Sequence, residues 1–170
     1  MIKLFYFFVC DRRSKKIIEL CKKNDLLGIY EMIKKTCYIS WKNFCPEKSI
    51  CYATENLFCL EQLHKIFFEG GIYIIKSDKK IIACGSFEIK KKIACLKIIF
   101  VDIDFQRCGF GIKILQSLEG KIKLSGIKKI IVKANLFAVA FYKKNGYEHK
   151  NQMLNYYDGC FVMEKIFNTK

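Results

Sequence analysis

The chain has 170 residues, of which 52% are hydrophobic and 15% aromatic, so one domain of ordinary size can bury enough apolar surface to offset its chain entropy. We therefore predict a single domain over residues 1–170, with residues 1–15 as a candidate N-terminal extension. One proline and ten glycines exclude collagen-like and proline-rich linker proteins. No stretch reaches the roughly 18 apolar residues that a membrane span requires, so no membrane partner is expected.

The formal charge of +15 at pH 7 raises the question of nucleic-acid binding, because cations neutralise phosphates and release counterions. Only three of the 31 basic residues are arginine, the residue best suited to bidentate contacts with phosphate and guanine. A solvated lysine surface is therefore favoured over a functional patch for an anionic partner. A nucleic-acid partner remains open but is not favoured.

The ten cysteines are even in number, as in small secreted proteins with a disulfide framework. However, the apolar run near the N-terminus covers only residues 4–10 and lacks a cleavage pattern, which disfavours a signal peptide. The sequence has no Cys-x-x-Cys pair, and His64 and His149 lie far apart, so no metal is expected. We predict free, mostly buried thiols in a cytoplasmic protein, with Cys84 and Cys95 as candidate cross-strand neighbours.

The order of predicted elements indicates an α+β protein with a mixed, mostly antiparallel central sheet flanked by helices. Residues 36–53 show no clear periodicity and are assigned no regular structure. Three β-rich runs separated by short polar turns predict two antiparallel hairpins. The predicted elements are strand 16–21, helix 25–35, helix 55–68, strands 71–76, 80–89 and 93–101, helix 108–124, strand 128–134, helix 135–144, and strands 147–153 and 160–167.

The most informative segment is residues 106–111, with the sequence QRCGFG, between a predicted strand and a predicted amphipathic helix. A glycine-rich turn at a helix N-terminus exposes unpaired N–H groups and lets a pyrophosphate approach the backbone. Two glycines can also simply form a turn. A dinucleotide-binding Rossmann motif would need a parallel strand–helix–strand unit, and the hairpins before this turn disfavour it.

A second pattern occupies residues 135–147, NLFAVAFYKKNGY, in which Asn135 begins a short helix that ends in Phe-Tyr-x-Lys-x-Gly-Tyr. In this order and spacing the two patterns resemble the GCN5-related N-acetyltransferase (GNAT) superfamily, whose members bind acetyl-CoA through Gln/Arg-x-x-Gly-x-Gly/Ala. The resemblance covers roughly residues 17–167 and is specific over residues 93–147. It implies the GNAT acyl-CoA N-acyltransferase fold, acetyl-CoA as cosubstrate, and direct transfer of an acetyl group to an amine in a ternary complex.

The resemblance also implies a site between two strands that splay apart, with the pantetheine arm in the gap. The N–H of Val101 would polarise the thioester carbonyl, and Tyr142 would protonate the departing thiolate, as suits a phenol with a pKa of about 10. Packing beside Phe141 is the alternative role of Tyr142. The implied cofactor-binding residues are Ile99, Val101, Gln106, Arg107, Cys108, Gly109, Phe110, Gly111, Ile112 and Asn135.

The general base does not follow from the resemblance. Histone-directed members of the family carry a glutamate six residues before the position of Val101, and this chain has Cys95 there. Glu88 on the preceding strand is the candidate that remains, as a second catalytic residue beside Tyr142. Its alternative role is a solvated carboxylate that pairs with Lys90 or Lys92.

Two functions from different classes fit these observations. The first is an acetyl-CoA-dependent N-acetyltransferase whose acceptor is a small-molecule or protein amine. The second is a catalytically inactive GNAT-fold module that binds RNA or a protein partner through its basic surface. Tyr142 and the two glycines of the turn favour the enzyme, whereas Cys95 at the base position favours the binding module. The acceptor does not follow from the sequence, and a homodimer remains open.

Overall fold

A mixed sheet of seven strands runs through the computed structural model, which describes residues 16–154 and 160–167, with only the backbone of residues 150–154. The strands are β1 (Ile18–Leu20), β2 (Tyr73–Ser77), β3 (Lys80–Lys90), β4 (Ile93–Val101), β5 (Lys129–Asn135), β6 (Glu148–Leu154) and β7 (Cys160–Ile166). Their order across the sheet is β1-β2-β3-β4-β5-β7-β6. Neighbouring strands are antiparallel except β4 and β5, which are parallel.

Helices cover both faces of this sheet, and the predicted α+β class is confirmed. Ile74 and Ile75 are neighbours on β2 and so point to opposite faces; each is buried in a different apolar core. One core is covered by α1 and α3, the other by α4 and α5. Among the described residues, no helix is long and apolar enough to span a membrane. The helices are α1 (Leu26–Trp41), α2 (Glu47–Tyr52), α3 (Leu60–Glu69), α4 (Phe110–Leu124) and α5 (Leu136–Lys144).

The segment between residues 36 and 59 differs from the sequence prediction. The first helix continues to Trp41 instead of ending near residue 35, because Thr36 and Cys37 extend the buried stripe of the helix. Pro46 then precedes α2, as suits a residue with a fixed φ and no N–H to pair. A π-helical turn over Ala53–Leu57 follows, so α3 begins at Leu60 and not at residue 55.

The two predicted hairpins are confirmed, and their turns fit the lysine-rich sequence. Asp78 and Lys79 have φ values of 48° and 68°, and the central residues of the second turn are also left-handed, as type I′ turns require. The register contradicts one expectation: Cys84 lies opposite Phe100 and Cys95 opposite Glu88, so the two cysteines are not cross-strand neighbours. No disulfide joins the nine cysteines of the described residues.

Candidate active site

A gap opens between β4 and β5 in the middle of the sheet. Their pairing ends at Leu96 and Val132, although β4 continues to Val101. Just beyond Leu96, the register with β3 shifts so that Lys97 is an extra residue on β4. Such a bulge bends a strand and increases its local twist, and this directs the end of β4 away from β5. The two strands therefore splay apart, as the resemblance implied.

The end of β4 presents backbone groups to this gap. Asp102 donates its N–H to the carbonyl of Ile82 on the β3 side at 2.8 Å. Because successive residues of a strand direct their N–H groups to alternate sides, the N–H groups of Val101 and Ile99 point away from β3 and toward the gap. The carbonyl of Val101 accepts a hydrogen bond from Gln106 Nε2 at 3.3 Å, which ties the strand end to the turn that follows.

The glycine turn lies at the mouth of the gap and leads into α4. Arg107 and Gly109 both have positive φ, 63° and 87°, so the backbone curls and directs successive N–H groups to one side, an arrangement that binds anions. A Cβ at Gly109 would meet nothing within 4 Å, which leaves room at the backbone. The first N–H groups of α4 have no partner within the helix and add to the positive potential of its N-terminus.

A cavity of about 650 Å³ joins these features. Eight of the ten predicted cofactor-binding residues line it, and Cys108 and Phe110 do not. The side chain of Phe110 is 8% exposed and packs in the core beside Phe105, so Phe110 offers a ligand its backbone and not its side chain. The predicted residues that line the cavity are Ile99, Val101, Gln106, Arg107, Gly109, Gly111, Ile112 and Asn135.

Tyr142 lines the same cavity from α5, and its ring is held by other aromatic rings. It meets Phe141 and Tyr147 edge-on, at ring-centroid distances of 5.1 and 5.3 Å. Gly146, with a φ of 79°, ends the helix and lets Tyr147 donate its N–H to the carbonyl of Tyr142. Burial raises the pKa of the Tyr142 hydroxyl above its ordinary value, which differs from the unperturbed phenol expected from the sequence.

Asn135 begins α5 at the rim of the gap. Its Oδ1 accepts a hydrogen bond from the N–H of Ala138 at 2.9 Å, which is the usual role of asparagine at a helix N-cap. The carboxamide oxygen is therefore engaged by the helix, and Nδ2 is the group that can contact a ligand. Asn135 thus has a structural role at the start of α5, and its contact with a cofactor stays a prediction.

The structure does not bring Glu88 to the cavity. Its carboxylate pairs with Lys90 at 3.0 Å, as its alternative role predicted, and also with Lys97 at 3.1 Å, which was not predicted. Burial alone would raise the pKa of Glu88, but its hydrogen bonds and charge pairing with the two lysines lower it on balance, which makes it a weaker base. Neither His64 nor His149 lines the cavity.

The outer wall of the cavity comes from α1, which the sequence analysis did not connect with the site. Thr36, Ser40 and Trp41 line it opposite the end of β4. Lys35 pairs with Asp102 and Asp104, which follow β4, and so holds this wall in place. A sequence signal was present: Thr36 and Ser40 continue the stripe of Leu26, Ile29 and Ile33 with polar residues where apolar ones are expected.

The fold and the cavity define an acyl-CoA N-acyltransferase architecture of the GNAT type. A family model described as "Acetyltransferase (GNAT) domain" matches residues 69–149, which include the β4 strand, the glycine turn and Tyr142. Residues 69–149 are thus similar to a GNAT acetyltransferase domain, and the fold around them is of the same type. No protein among those of curated function matches the sequence at a significant level.

Solved structures with the same fold include several named N-acetyltransferases. A PaiA N-acetyltransferase from Thermoplasma acidophilum in complex with coenzyme A superposes with a TM-score of 0.79 at 18% identity, over 89% of this chain and 98% of that one. The ribosomal-protein-S18-alanine N-acetyltransferase of Escherichia coli gives a TM-score of 0.70 at 19% identity, over 91% and 96% of the two chains. At these identities the likeness establishes the fold alone.

Proposed function

We propose that the protein is an acetyl-CoA-dependent N-acetyltransferase that acts by direct transfer to an amine in a ternary complex. The observation that carries this proposal is the coincidence of three features in one cavity. The gap between β4 and β5, the glycine turn at the start of α4 and the Tyr142 side chain all line it. In addition, the structure from Thermoplasma acidophilum has coenzyme A bound.

The residues of the turn fit a pyrophosphate. Backbone N–H groups of residues 107–112 would bind its oxygens, and Arg107 would add a positive charge. The N–H groups of Ile99 and Val101 would pair with the pantetheine arm, since they face the gap in place of a neighbouring strand. The open space at Gly109 supports this assignment, because a side chain there would occupy the volume next to these N–H groups.

The chemistry requires an amine nitrogen to attack the thioester carbonyl carbon, after which the carbon–sulfur bond breaks. The N–H of Val101 would stabilise the charge that develops on the carbonyl oxygen. Tyr142 would donate a hydrogen bond to the departing sulfur. Burial raises the pKa of the Tyr142 hydroxyl, so this hydroxyl gives up its proton less readily than an exposed phenol does. The hydroxyl therefore acts mainly by stabilising the sulfur as charge builds on it.

We assign removal of the amine proton to water, because the described residues that line the cavity include no carboxylate and no imidazole. In that case kcat/KM should rise about tenfold per pH unit up to the pKa of the acceptor amine. Glu88→Gln should leave this profile unchanged, since Glu88 lies outside the cavity lining. A profile that levels off at lower pH in the parent, and is lost in Glu88→Gln, would instead make Glu88 the base.

The proposed function is tested by binding and by turnover. Calorimetry should detect acetyl-CoA binding, and mass spectrometry should detect acetylated products when the protein is incubated with a broad amine panel. The control protein is Arg107→Ala, which should weaken acetyl-CoA binding because it removes the cation of the turn. Retention on heparin, with neither acetyl-CoA binding nor any acetylated amine, would contradict the proposal and favour the basic binding module.

A further inference from the structure

We propose that the acceptor is a small amine that carries a carboxylate, an amino acid, and that the hydroxyls of Thr36 and Ser40 bind this carboxylate on the α1 wall of the cavity. The inference rests on the proposed function and names the substrate class of the same site. Three observations carry it: two orphaned hydroxyls, the charge of the cavity wall, and the position of α1.

Thr36 and Ser40 are buried hydroxyls without a partner. Thr36 is only 5% exposed, and its Oγ1 and the Ser40 Oγ make no hydrogen bond within the described part of the chain. Thr54, in contrast, donates its hydroxyl to the carbonyl of Ile50 at 3.0 Å, the usual solution for a threonine in a helix. An unsatisfied buried hydroxyl destabilises the fold, so a ligand that accepts from both hydroxyls would remove that cost.

The two hydroxyls lie on one face of α1. They are four residues apart, so their Cβ atoms are about 5–6 Å from each other, and both residues line the cavity. A carboxylate has two oxygens, each of which can accept a hydrogen bond. One carboxylate can therefore lie between the two hydroxyls and accept from both.

The charge of the cavity wall also favours an acceptor that carries a carboxylate. Among the described residues that line it, only Arg107 and Lys144 are charged, and both are cationic. The nearby carboxylates of Asp102 and Asp104 are engaged by Lys35, and Asp102 also by Lys80. A second amino group on the acceptor would find no carboxylate partner here, whereas a carboxylate would find two hydroxyl donors in a cavity whose charged lining is cationic.

The position of α1 places these donors next to the reacting centre. Lys35 precedes Thr36 in sequence and pairs with Asp102, the residue after Val101. This contact holds the Thr36 turn of the helix beside the end of β4, where the N–H of Val101 faces the gap. An acceptor with its carboxylate on α1 can thus direct its amine toward the acyl group, since an amino acid separates the two groups by one carbon.

The test is a set of acceptors with one carbon skeleton. On the same skeleton, alanine carries a carboxylate, alaninamide a neutral amide and 1,2-diaminopropane a second amine. If another common amino acid is the best substrate in a panel, that amino acid is compared with its own amide and its own diamine instead. We expect kcat/KM, corrected for the unprotonated fraction of each acceptor amine, to fall in that order. A parent protein that acetylates the diamine best overturns the inference and leaves the proposed function intact, whereas failure to acetylate any amine contradicts both.

The hydroxyls are tested by Thr36→Val and Ser40→Ala. Each removes one hydrogen bond to a charged group, so each should raise the acceptor KM about 10- to 100-fold and reduce the preference for the amino acid over its amide. The acetyl-CoA affinity should stay as in the parent. Thr54→Val is the matched control, because its hydroxyl is paired within its own helix, and it should leave the acceptor KM unchanged.

Two outcomes of these variants would overturn the assignment. Loss of acetyl-CoA affinity with an unchanged acceptor KM would mean that the hydroxyls bind the cosubstrate. An acceptor KM that rises equally for the amino acid and its amide would mean that the substitutions only disturb the packing of α1. Thermal melting of each variant separates a folding defect from both results.

Discussion

Gly109 illustrates how one residue determines what the turn can bind. It lies at the N-cap of α4 with a φ of 87°, a conformation that costs a residue with a Cβ roughly 1–2 kcal/mol. Nothing occupies the space that a Cβ would take. Two reasons would explain a glycine here: the backbone conformation and, under the proposed function, the approach of a ligand to the N–H groups.

The two reasons can be separated by comparing two glycines. Gly126, at the other end of α4, has a φ of 74° and equally open surroundings, but it lies outside the cavity lining. Gly109→Ala and Gly126→Ala should each lower the free energy of unfolding by about 1–2 kcal/mol. Only Gly109→Ala should also weaken acetyl-CoA binding in calorimetry. An equal loss of binding in both variants would show that strain in α4, and not the ligand, explains the glycine.

Tyr142 gives a second prediction at the scale of one residue. Tyr142→Phe keeps the ring contacts with Phe141 and Tyr147 and removes the hydroxyl, so the acetyl-CoA affinity should hardly change. Since burial raises the Tyr142 pKa and makes full proton transfer costly, kcat should fall on the order of 10²-fold, the lower end of general acid effects. The measurement is kcat with the best acceptor. An undiminished kcat would show that water protonates the sulfur and that Tyr142 only packs.

The sequence predicted which residues of the glycine turn and of α5 form the site, but not the burial and contacts of their side chains. Residues 106–111 and Tyr142 belong to patterns that neighbouring residues define, and the structure brings Tyr142 and four of those six residues to one cavity. The raised pKa of Tyr142 depends on rings that fold around it, and the role of Thr36 depends on a helix whose end the periodicity misplaced. The burial of Tyr142 leaves no local signal, whereas for Thr36 the polar residues that continue the apolar stripe of α1 were a signal that the analysis of periodicity did not use.

At the scale of elements, ion pairs fasten α1 and β3 to the segment after β4. The Asp102 side chain is completely buried, with one oxygen 2.7 Å from Lys80 Nζ and the other 3.4 Å from Lys35 Nζ. Oδ1 also accepts a hydrogen bond from the N–H of Asp104 at 3.0 Å. Burial would raise the pKa of Asp102, but the ion pair with Lys80, the backbone hydrogen bond and Lys35 lower it on balance.

Asp102 therefore stabilises the fold only while it is ionised. Its folded-state pKa lies below the ordinary value of 3.8, so its contribution is complete above the unfolded-state pKa and is lost as the pH falls through the folded-state pKa. Asp102→Asn should lower the free energy of unfolding at pH 7 by about 1–3 kcal/mol, and the difference from the parent should shrink below pH 4.

Urea denaturation at pH 7 and in acid measures this difference. Glu61→Gln is the control, since Glu61 is an exposed carboxylate on α3 and should change the stability by less than about 0.5 kcal/mol at either pH. A constant deficit of Asp102→Asn across the pH range would mean that packing, and not charge, holds this contact.

Element boundaries were predictable where the pattern is periodic and not where packing decides them. The hairpins follow from alternating apolar residues and short polar turns, and the structure confirms them. The β4 bulge at Lys97 has no such signal, because it depends on how β4 meets β3 and β5. The same holds for α2 and the π-helical turn, which are too short for periodicity to reveal.

At the scale of the whole molecule, the reactivity of the cysteines shows whether the core beneath α1 and α3 excludes solvent. Cys21, Cys37 and Cys84 are buried in the core beneath α1 and α3. Burial raises the pKa of the Cys21 thiol to about 11 and that of Cys37 to about 12. Burial likewise raises the pKa of Cys84, to about 12. Cys51 is exposed. Since the thiolate is the reactive form, the native fold should protect the buried thiols both by access and by protonation.

Alkylation with iodoacetamide at pH 8, followed by peptide mass spectrometry, should therefore label Cys51 first. Cys21, Cys37 and Cys84 should react only as fast as the protein unfolds, because reaction needs both exposure and an ordinary pKa. Denaturant should make all of them react at similar rates, and this is the internal control. Acetyl-CoA should slow these three by stabilising the folded state without slowing Cys51, which lies outside the cavity lining. Rapid native labelling of Cys37 would contradict the closed core beneath α1, and with it the wall on which Thr36 lies.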